Sequence, residues 1–198
     1  MARKPAEQTV SRDAIMRAAA TVFHRRGYHG ATMADIAAEV DLTAGSLYHH
    51  FPSKEDLLIA VLDAGLSQIT GDVRVAVERD AAHAATLREI IHIHIRSEID
   101  DVNIAAAVIF EGRALLNVPG VREQYVRQRD TLEALYRRVV EDGITAGDFR
   151  AVDVGIFVKT LFGALNWVSL WYRPDGRLSG AAIADEIADT FLAALRLD

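Results

Sequence analysis

The chain has 198 residues, of which 51% are hydrophobic, and its formal net charge is −6. This length suits one compact domain, or a small domain joined to a larger one, and exceeds the size at which a core needs disulfides or metal ions. Cysteine is absent, which excludes disulfide frameworks and thiolate metal sites. The N-terminal sequence MARKPAEQTVSRDAI lacks the apolar core of a signal peptide, so we expect a cytoplasmic location.

The charge is unevenly distributed along the chain. Residues 1–60 hold seven basic and seven acidic side chains, whereas residues 61–198 hold 15 basic and 21 acidic ones. Six of the basic residues lie close to the N-terminus, namely Arg3, Lys4, Arg12, Arg17, Arg25 and Arg26. The N-terminal end is therefore locally basic, although mixed charges of this kind usually mark only a solvated surface.

Helical periodicity extends along nearly the whole chain and predicts an all-α protein. Ser11 can cap a first helix whose apolar residues recur at spacings of three and four, and Gly27 can end it with a left-handed backbone. Thr32 and Asp35 are spaced as a capping box, with Asp in place of Glu, and predict a short second helix.

A third helix is predicted between Thr43, which can cap it, and Pro52, which must end it. So short a helix is unstable alone, so its surroundings must hold it in place. Leu47 and Phe51, four residues apart, form its buried stripe. Its remaining polar and aromatic residues, which are Ser46, Tyr48, His49 and His50, are left largely exposed.

Two short helices joined by a tight turn form a helix-turn-helix, whose second helix enters the major groove of DNA. The small residues Ala44 and Gly45 permit close approach to base edges, and the ammonium of Lys54 suits phosphate oxygens. The alternative is a plain helical bundle with a solvated aromatic turn, which an exposed Tyr-His-His sequence on so short a helix disfavours.

The stretch GYHGATMADIAAEVDLTAGSLYHHFPSKEDLLIAVL resembles the N-terminal domain of the TetR family of transcriptional regulators. The resemblance covers residues 11–62. It implies a flexible arm over residues 1–10, a three-helix DNA-binding domain over residues 11–60, and a helical effector-binding and dimerisation domain over residues 61–198. The family pattern often has a long polar side chain where Ala44 stands, and alanine offers only apolar contact. The predicted DNA-binding residues are Thr32, Thr43, Ala44, Gly45, Ser46, Tyr48, His49, His50 and Lys54.

The C-terminal part also has a helical pattern. Asn117 and Pro119 can begin a long helix that continues to about Asp142. Residues 154–172 are apolar enough to raise the possibility of a membrane helix, but they contain Lys159 and an amphipathic helix follows. We therefore predict that this segment belongs to the core and a subunit interface, with no membrane contact.

The resemblance to the TetR family implies a homodimer formed through the last two helices. Trp167, Trp171 and Phe191 are expected in or near this contact, although each could instead belong to the core of one subunit. A two-fold dimer would place two recognition helices on successive major grooves of a palindromic double-stranded DNA operator.

A polar residue interrupts an apolar face on each of two predicted helices. Glu111 shares a stripe with Val108, and His94 shares one with Ile91. A buried carboxylate is costly unless it is paired, so Glu111 either pairs with an arginine such as Arg129 or marks a ligand cavity. The predicted ligand-binding residues are His94, Phe110, Glu111, Tyr125, Arg129 and Trp167.

These patterns favour a ligand-responsive repressor that a mainly apolar small molecule releases from DNA. The sequence NWVSLWYRPDGRLS resembles actinobacterial regulators of lipid and sterol breakdown, which implies an acyl-coenzyme A thioester or another lipid-derived effector. We expect no cofactor and no metal, because His92 and His94 diverge by about 200° on a helix. The alternatives are a DNA-binding protein without an effector and a small-molecule-binding enzyme.

Overall fold

The computed structural model describes residues 10–112 and 121–197, and within these ranges the chain forms helices and no strands. This confirms the predicted all-α class. The ten helices are α1 (Arg12–Gly30), α2 (Met33–Ala38), α3 (Ala44–His50), α4 (Lys54–Val77), α5 (His83–Asp100), α6 (Val102–Phe110), α7 (Val121–Ala146), α8 (Val154–Asn166), α9 (Val168–Trp171) and α10 (Gly180–Ala193).

The predicted helix starts are present where the sequence places them. The Ser11 side chain accepts a hydrogen bond from Ala14 N, and Thr32 forms a reciprocal capping box with Asp35. The backbone of Gly27 has φ +68°, which interrupts α1 and is strained for residues with a side chain. A final turn then carries α1 to Gly30, three residues beyond the predicted end.

The turn between α2 and α3 is closed by a backbone bond from Leu42 N to Ala37 O of 2.9 Å. Asp41 supplies the turn with a left-handed backbone at φ +54°, a conformation that Asp tolerates better than most residues. Beyond it, Thr43 caps α3 by accepting a hydrogen bond from Ser46 N.

The short helix α3 is held by burial on one face and by a basic clamp at its end. Leu47 and Phe51 are buried, as predicted. The Arg12 guanidinium lies 4.0 Å from the centre of the Phe51 ring and donates a 2.6 Å hydrogen bond to His50 O. A cation at the C-terminus of a helix also complements the helix dipole. Helix α3 is thus stabilised by α1 rather than by its own length.

Two hydrophobic cores meet along α4. The first core is formed by α1–α3 and by the first half of α4, up to Leu66. It also includes Ala107 and Tyr125 of the C-terminal part. The second core begins on α4 at Ile69 and is filled by α5, α7, α8 and α10 around the buried ring of Tyr136. The predicted division at residue 60 therefore falls inside a continuous helix.

The C-terminal helices differ from their predictions at two places. Helix α7 continues to Ala146 rather than ending near Asp142, and its predicted start at Asn117 and Pro119 lies outside the described residues. Residues 154–172 form two helices, because the backbone leaves α8 at Asn166 and turns through Trp167 before α9.

The apolar segment Val154–Trp171 is long and apolar enough to cross a membrane by length and composition, and 28% of it is buried. Such a segment is a weak indication of a membrane span. It is broken at Trp167, and its Lys159 lies 3.3 Å from the Glu133 carboxylate of α7. These features suit a helix that packs on α7.

Lys54 joins the start of α4 to the end of α1. Its ammonium donates 2.7 Å hydrogen bonds to Tyr28 O and Ala31 O and lies 4.5 Å from the centre of the Tyr28 ring. These two hydrogen bonds satisfy backbone carbonyls of residues that follow Gly27. The regular helical hydrogen bonds of α1 are interrupted at that point.

We predict that Lys54→Met lowers the free energy of unfolding by about 2 kcal/mol, since it leaves two carbonyls without their charged donor. Urea denaturation would measure this loss. The control is Lys159→Met, which removes an exposed ion pair and should cost less than about 1 kcal/mol. Equal losses in the two variants would contradict a clamping role for Lys54.

Candidate DNA-binding surface and effector cavity

The outer face of α3 carries the exposed groups that the sequence predicts. Tyr48 is 51% exposed, and Gly45 and His49 are exposed beside it, whereas Leu47 between them is fully buried. Ala44, Ser46 and His50 are half-buried at the edges of this face. The helix therefore offers an aromatic hydroxyl, an imidazole and an open backbone to a groove.

The hydroxyls predicted at this surface are already used for capping. Thr32 Oγ1 accepts from Asp35 N at 3.1 Å and donates to the Asp35 carboxylate at 2.7 Å. The hydrogen bond from Thr32 is the largest influence that holds the pKa of Asp35 below its ordinary value. Thr43 Oγ1 lies 2.9 Å from Ser46 Oγ. Thr32, Thr43 and Ser46 therefore fix the starts of α2 and α3.

The basic side chains near the N-terminus are less available to DNA phosphates than the composition of this region indicates. Arg25 pairs with Glu39, and Arg26 pairs with Asp35 at 2.6 Å. Lys54 binds the two carbonyls described above, so the prediction of a free phosphate ligand at Lys54 is not what the structure favours. Arg3 and Lys4 lie outside the described residues.

A second feature is a cavity of about 1300 Å³ that is partly open to solvent. It lies among α1, α4, α5, α6, α7 and α8. Apolar side chains line part of it, including Leu66, Ile69, Ile93, Ile104, Val108, Ile109, Leu132 and Phe162. Charged side chains line the rest, including Arg17, Asp72, Arg79, Arg96, Glu98, Arg129, Glu133 and Lys159. The expected mainly apolar lining is thus corrected to a mixed one.

Three of the lining arginines are free of carboxylates in the described part of the chain. Arg79 pairs with Glu89, whereas Arg17 on α1, Arg96 on α5 and Arg129 on α7 have no ion pair there. All three are exposed. They can therefore accept an anionic group of a ligand without first breaking a salt bridge.

The cavity also contains a buried polar cluster. His94 Nδ1 lies 3.0 Å from the Tyr136 hydroxyl, and His94 Nε2 lies 2.9 Å from Asn166 Oδ1. The Glu98 carboxyl lies 3.7 Å from His94 Nε2. His94 and Glu98 are only 2% and 5% exposed, and with Asn166 they line the cavity.

Burial controls the protonation of this cluster, because it disfavours charged forms. It lowers the pKa of His94 to about 4, against the opposing hydrogen bond with Asn166. It raises the pKa of Glu98 to about 8, against the opposing effect of the Ser169 hydroxyl. At neutral pH both groups are predominantly uncharged, so the cluster is a network of neutral donors and acceptors.

Glu111 occupies neither of the two positions predicted for it, which were an ion pair with an arginine such as Arg129 and a place in a ligand cavity. Its carboxylate accepts a 2.9 Å hydrogen bond from the backbone N–H of Tyr28, beyond the Gly27 interruption of α1. It does not pair with Arg129, and it does not line the cavity. Glu111 instead joins the end of α6 to the N-terminal helices.

The other predicted ligand residues divide into two groups. Tyr125 and Arg129 line the cavity, with the Tyr125 hydroxyl donating to Val108 O at 2.6 Å and the Arg129 guanidinium 5.9 Å from the Tyr125 ring centre. Phe110 and Trp167 contact each other edge to face at 6.3 Å and do not line it. Trp167 is 57% exposed and does not line this cavity, so its role in ligand binding stays a prediction.

Sequence reasoning missed Glu98, Arg17, Arg96 and Asn166. Glu98 could have been found, because it follows His94 by four residues and so shares its helical face. Arg17 gave no such signal, since it lies on α1 and reaches the cavity only through the packing of the two parts of the chain.

Comparison with known proteins agrees with this arrangement. The family model described as "Bacterial regulatory proteins, tetR family" matches residues 15–61, and "Tetracyclin repressor-like, C-terminal domain" matches residues 80–195. The chain is 31% identical over 193 residues to the HTH-type transcriptional repressor KstR2 of Rhodococcus jostii strain RHA1, covering 94% of this chain and 93% of that protein.

Solved structures are also similar. AibR in complex with isovaleryl coenzyme A and operator DNA has a TM-score of 0.80 at 26% identity, covering 90% of this chain and 96% of that one. KstR2 of Mycobacterium tuberculosis has a TM-score of 0.88 at 23% identity, covering 99% and 100%, and is similar in fold. From its helix-turn-helix to its C-terminal helices, the chain belongs to the TetR family of bacterial transcriptional regulators.

Proposed function

We propose that this protein is a cytoplasmic repressor that binds an imperfect palindromic DNA operator as a homodimer. An amphipathic effector with an anionic end, of the acyl-coenzyme A class, would bind in the cavity and release the DNA. The observation that carries the DNA-binding part is α3, a helix whose inner face is fully buried and whose outer face presents Tyr48 and His49.

Contacts to phosphate would come mainly from backbone and aromatic groups. The side chains of Arg12, Arg25, Arg26 and Lys54 are bound within the protein. The N-termini of α2, α3 and α4 carry partial positive charge that can attract phosphate oxygens, and each is ordered by a Thr or Ser cap. Tyr48 and the adjacent histidines would add contacts within the groove.

The homodimer is supported by an apolar surface on α8 and α9. Ile156, Trp167, Leu170 and Trp171 are all between 48% and 64% exposed. Exposed apolar groups concentrated in one region indicate an interaction surface. Phe191 of α10 is half-buried against Phe157 at 5.5 Å, so it belongs partly to the core and partly to the edge of this surface.

The effector class follows from the two kinds of lining in the cavity. Free arginines can bind phosphate or carboxylate groups, and the aliphatic wall can accept an acyl chain. The similar AibR structure contains isovaleryl coenzyme A together with operator DNA, and the similar KstR2 proteins are named repressors. The AibR structure supports an acyl thioester as the ligand class, and the KstR2 names support a repressor; release of the DNA by the thioester is our proposal.

The cavity has physical links to the DNA-binding helices. Arg17 lines it from α1, and Glu111 holds Tyr28 N from the end of α6. A Cβ atom on Gly65 would lie 2.9 Å from Ile104, so α4 and α6 pack closely. A ligand that prefers another arrangement of α6 would therefore shift α1 and α4, and with them the spacing of the two recognition helices.

Tyr48→Ala should weaken operator binding by about 1–3 kcal/mol if one good contact is lost per half-site. Gel-shift titration on an operator selected from genomic fragments would measure the change. Tyr48→Phe is the matched control, because it retains the ring and removes only the hydroxyl. Unchanged affinity in Tyr48→Ala would contradict docking through α3.

Ile156→Asp should convert the dimer to a monomer, because association would bury an unpaired carboxylate. Ile156 is 64% exposed in one chain, so the substitution should leave folding intact. Analytical ultracentrifugation would measure the state of assembly. Val75→Asp, which charges an exposed apolar side chain on α4, is the control and should remain dimeric. A dimeric Ile156→Asp protein would place the interface elsewhere.

Octanoyl-coenzyme A at a hundredfold excess over its Kd should stabilise the protein by about 2.7 kcal/mol and release the operator. Arg129→Ala should weaken this response by removing a charged phosphate ligand, whereas Arg127→Ala on the outer side of α7 should not. Thermal shift and gel-shift assays would follow both effects. Stabilisation by octanoate and coenzyme A separately, but not by the thioester, would contradict the proposed effector class.

A further inference from the structure

The buried end of the cavity contains a carboxyl group with an unused oxygen. Among residues 10–112 and 121–197, the buried side-chain oxygens without a hydrogen-bond partner are Glu98 Oε2 and Gln128 Oε1. Glu98 lines the cavity and Gln128 does not. A buried polar atom without a partner is unfavourable, so its presence at a cavity wall indicates a group that a ligand completes.

The groups around Glu98 do not supply an opposite charge. His94 lies on the same helix, Tyr136 faces it from α7, and Asn166 and Ser169 face it from the α8–α9 segment. His94 is neutral because of its burial, which lowers its pKa to about 4. With no cation against it, the Glu98 carboxyl retains its proton at neutral pH and can donate an O–H bond.

Counting protons shows that the rest of the cluster is complete without a ligand. The Tyr136 hydroxyl donates to Ile90 O at 3.0 Å, so its oxygen accepts from His94 Nδ1, which also lies 3.0 Å away. Neutral His94 then carries its proton on Nδ1, and its Nε2 accepts a hydrogen bond from the Asn166 side-chain amide, whose nitrogen rather than oxygen is turned toward it. The second N–H of the Asn166 side chain has no partner among the described residues.

Glu98 and Asn166 thus each offer an unused donor in the buried part of a cavity whose other lining is partly aliphatic and partly charged. We propose that they recognise an oxygen atom, as a ketone or hydroxyl, carried by the apolar part of the effector. A ketone oxygen would accept the Glu98 O–H and an Asn166 N–H. The inference deepens the proposed effector function, which it takes as its basis, by specifying an oxygenated acyl group rather than a plain one.

Glu98 would disfavour acyl groups that lack an oxygen as well as favour those that carry one. A saturated chain seated at the same place would leave the Glu98 carboxyl buried against methylene groups with its hydrogen bonds unmade. Sites built to hydrogen-bond a polar group discriminate strongly against analogues that lack it, because their own buried groups are then unpaired. The cavity would therefore select oxidised or hydroxylated acyl groups over ordinary fatty acyl groups.

The test compares ketones with isosteric methylidene compounds, which keep the shape and lose the acceptor. One series contains octanoyl-, decanoyl- and dodecanoyl-coenzyme A with a ketone or a methylidene at the penultimate carbon. A second, neutral pair contains methyl nonyl ketone and its methylidene isostere. Titration calorimetry on the full chain would give the affinity of each probe for wild type, Glu98→Gln and Glu98→Leu, with thermal denaturation to verify folding.

Wild type should bind the best-fitting ketone at least about tenfold more tightly than its isostere, which corresponds to one hydrogen bond. Glu98→Gln should retain this preference, because a neutral amide also donates. Glu98→Leu should lose it and bind the methylidene compound at least as tightly as wild type does. A ketone preference that persists in Glu98→Leu, or is absent from wild type in both series, would overturn the inference.

The pH dependence supplies a test that needs no destabilising variant. Loss of the Glu98 proton removes the donor and places a negative charge against the ketone oxygen. The ketone preference of wild type should therefore decline from about pH 7 to about pH 9, whereas that of Glu98→Gln should stay constant. A preference that does not change with pH in wild type would contradict recognition by the protonated Glu98.

The two series separate this inference from the proposed effector class. If no thioester binds but the neutral ketone is preferred, the thioester proposal fails and recognition by Glu98 stands. If thioesters bind and release DNA with no preference for a ketone, the effector class stands and recognition by Glu98 fails.

Discussion

Helix α4 packs into two hydrophobic cores with one continuous backbone, and the coupling between the two parts of the chain depends on this constraint. Its first half, through Leu66, packs with the DNA-binding helices, and its second half, from Ile69, packs with the C-terminal helices. A helix bends little over one turn, so a displacement of either end is transmitted to the other. The close packing at Gly65 against Ile104 lies at this junction. The proposed regulation by ligand would therefore require no long pathway, because the cavity and the DNA-binding helices share α4.

The sequence predicted the N-terminal helices well because their signals are local. Caps at Ser11, Thr32 and Thr43 and the reversal at Gly27 are each set by a few neighbouring residues. The cavity was predicted poorly, because its lining is assembled from six helices and includes Arg17, far away in sequence. Apolar periodicity reports which side of a helix is buried but not whether the buried side meets another helix or an empty space. Glu111 illustrates this limit. The sequence shows that Glu111 interrupts an apolar stripe, but it does not show that the partner of Glu111 is a backbone N–H of α1.

The DNA-binding surface also differs from a simple reading of its composition. Arg12, Arg25, Arg26 and Lys54 each bind a carbonyl or a carboxylate within the N-terminal helices. Such residues contribute to stability and hold α3 at a fixed angle, but they add less to phosphate attraction than free side chains would. In the proposed dimer, binding would then depend more on how accurately two copies of α3 are positioned.

The cavity combines exposed arginines with buried titratable groups. Arg17, Arg96 and Arg129 are exposed, whereas His94 and Glu98 are buried, which favours their neutral forms at neutral pH. Burial therefore turns a histidine and a carboxylic acid, which would be charged or readily titrated in water, into a directional pattern of hydrogen bonds. An aliphatic wall alone discriminates between ligands only by size, and arginines alone discriminate only by charge. Under our proposal, a neutral acid in the buried part of the cavity would add a requirement for an oxygen at a particular distance from the charged end, and that combination would distinguish one acyl thioester from another of equal length.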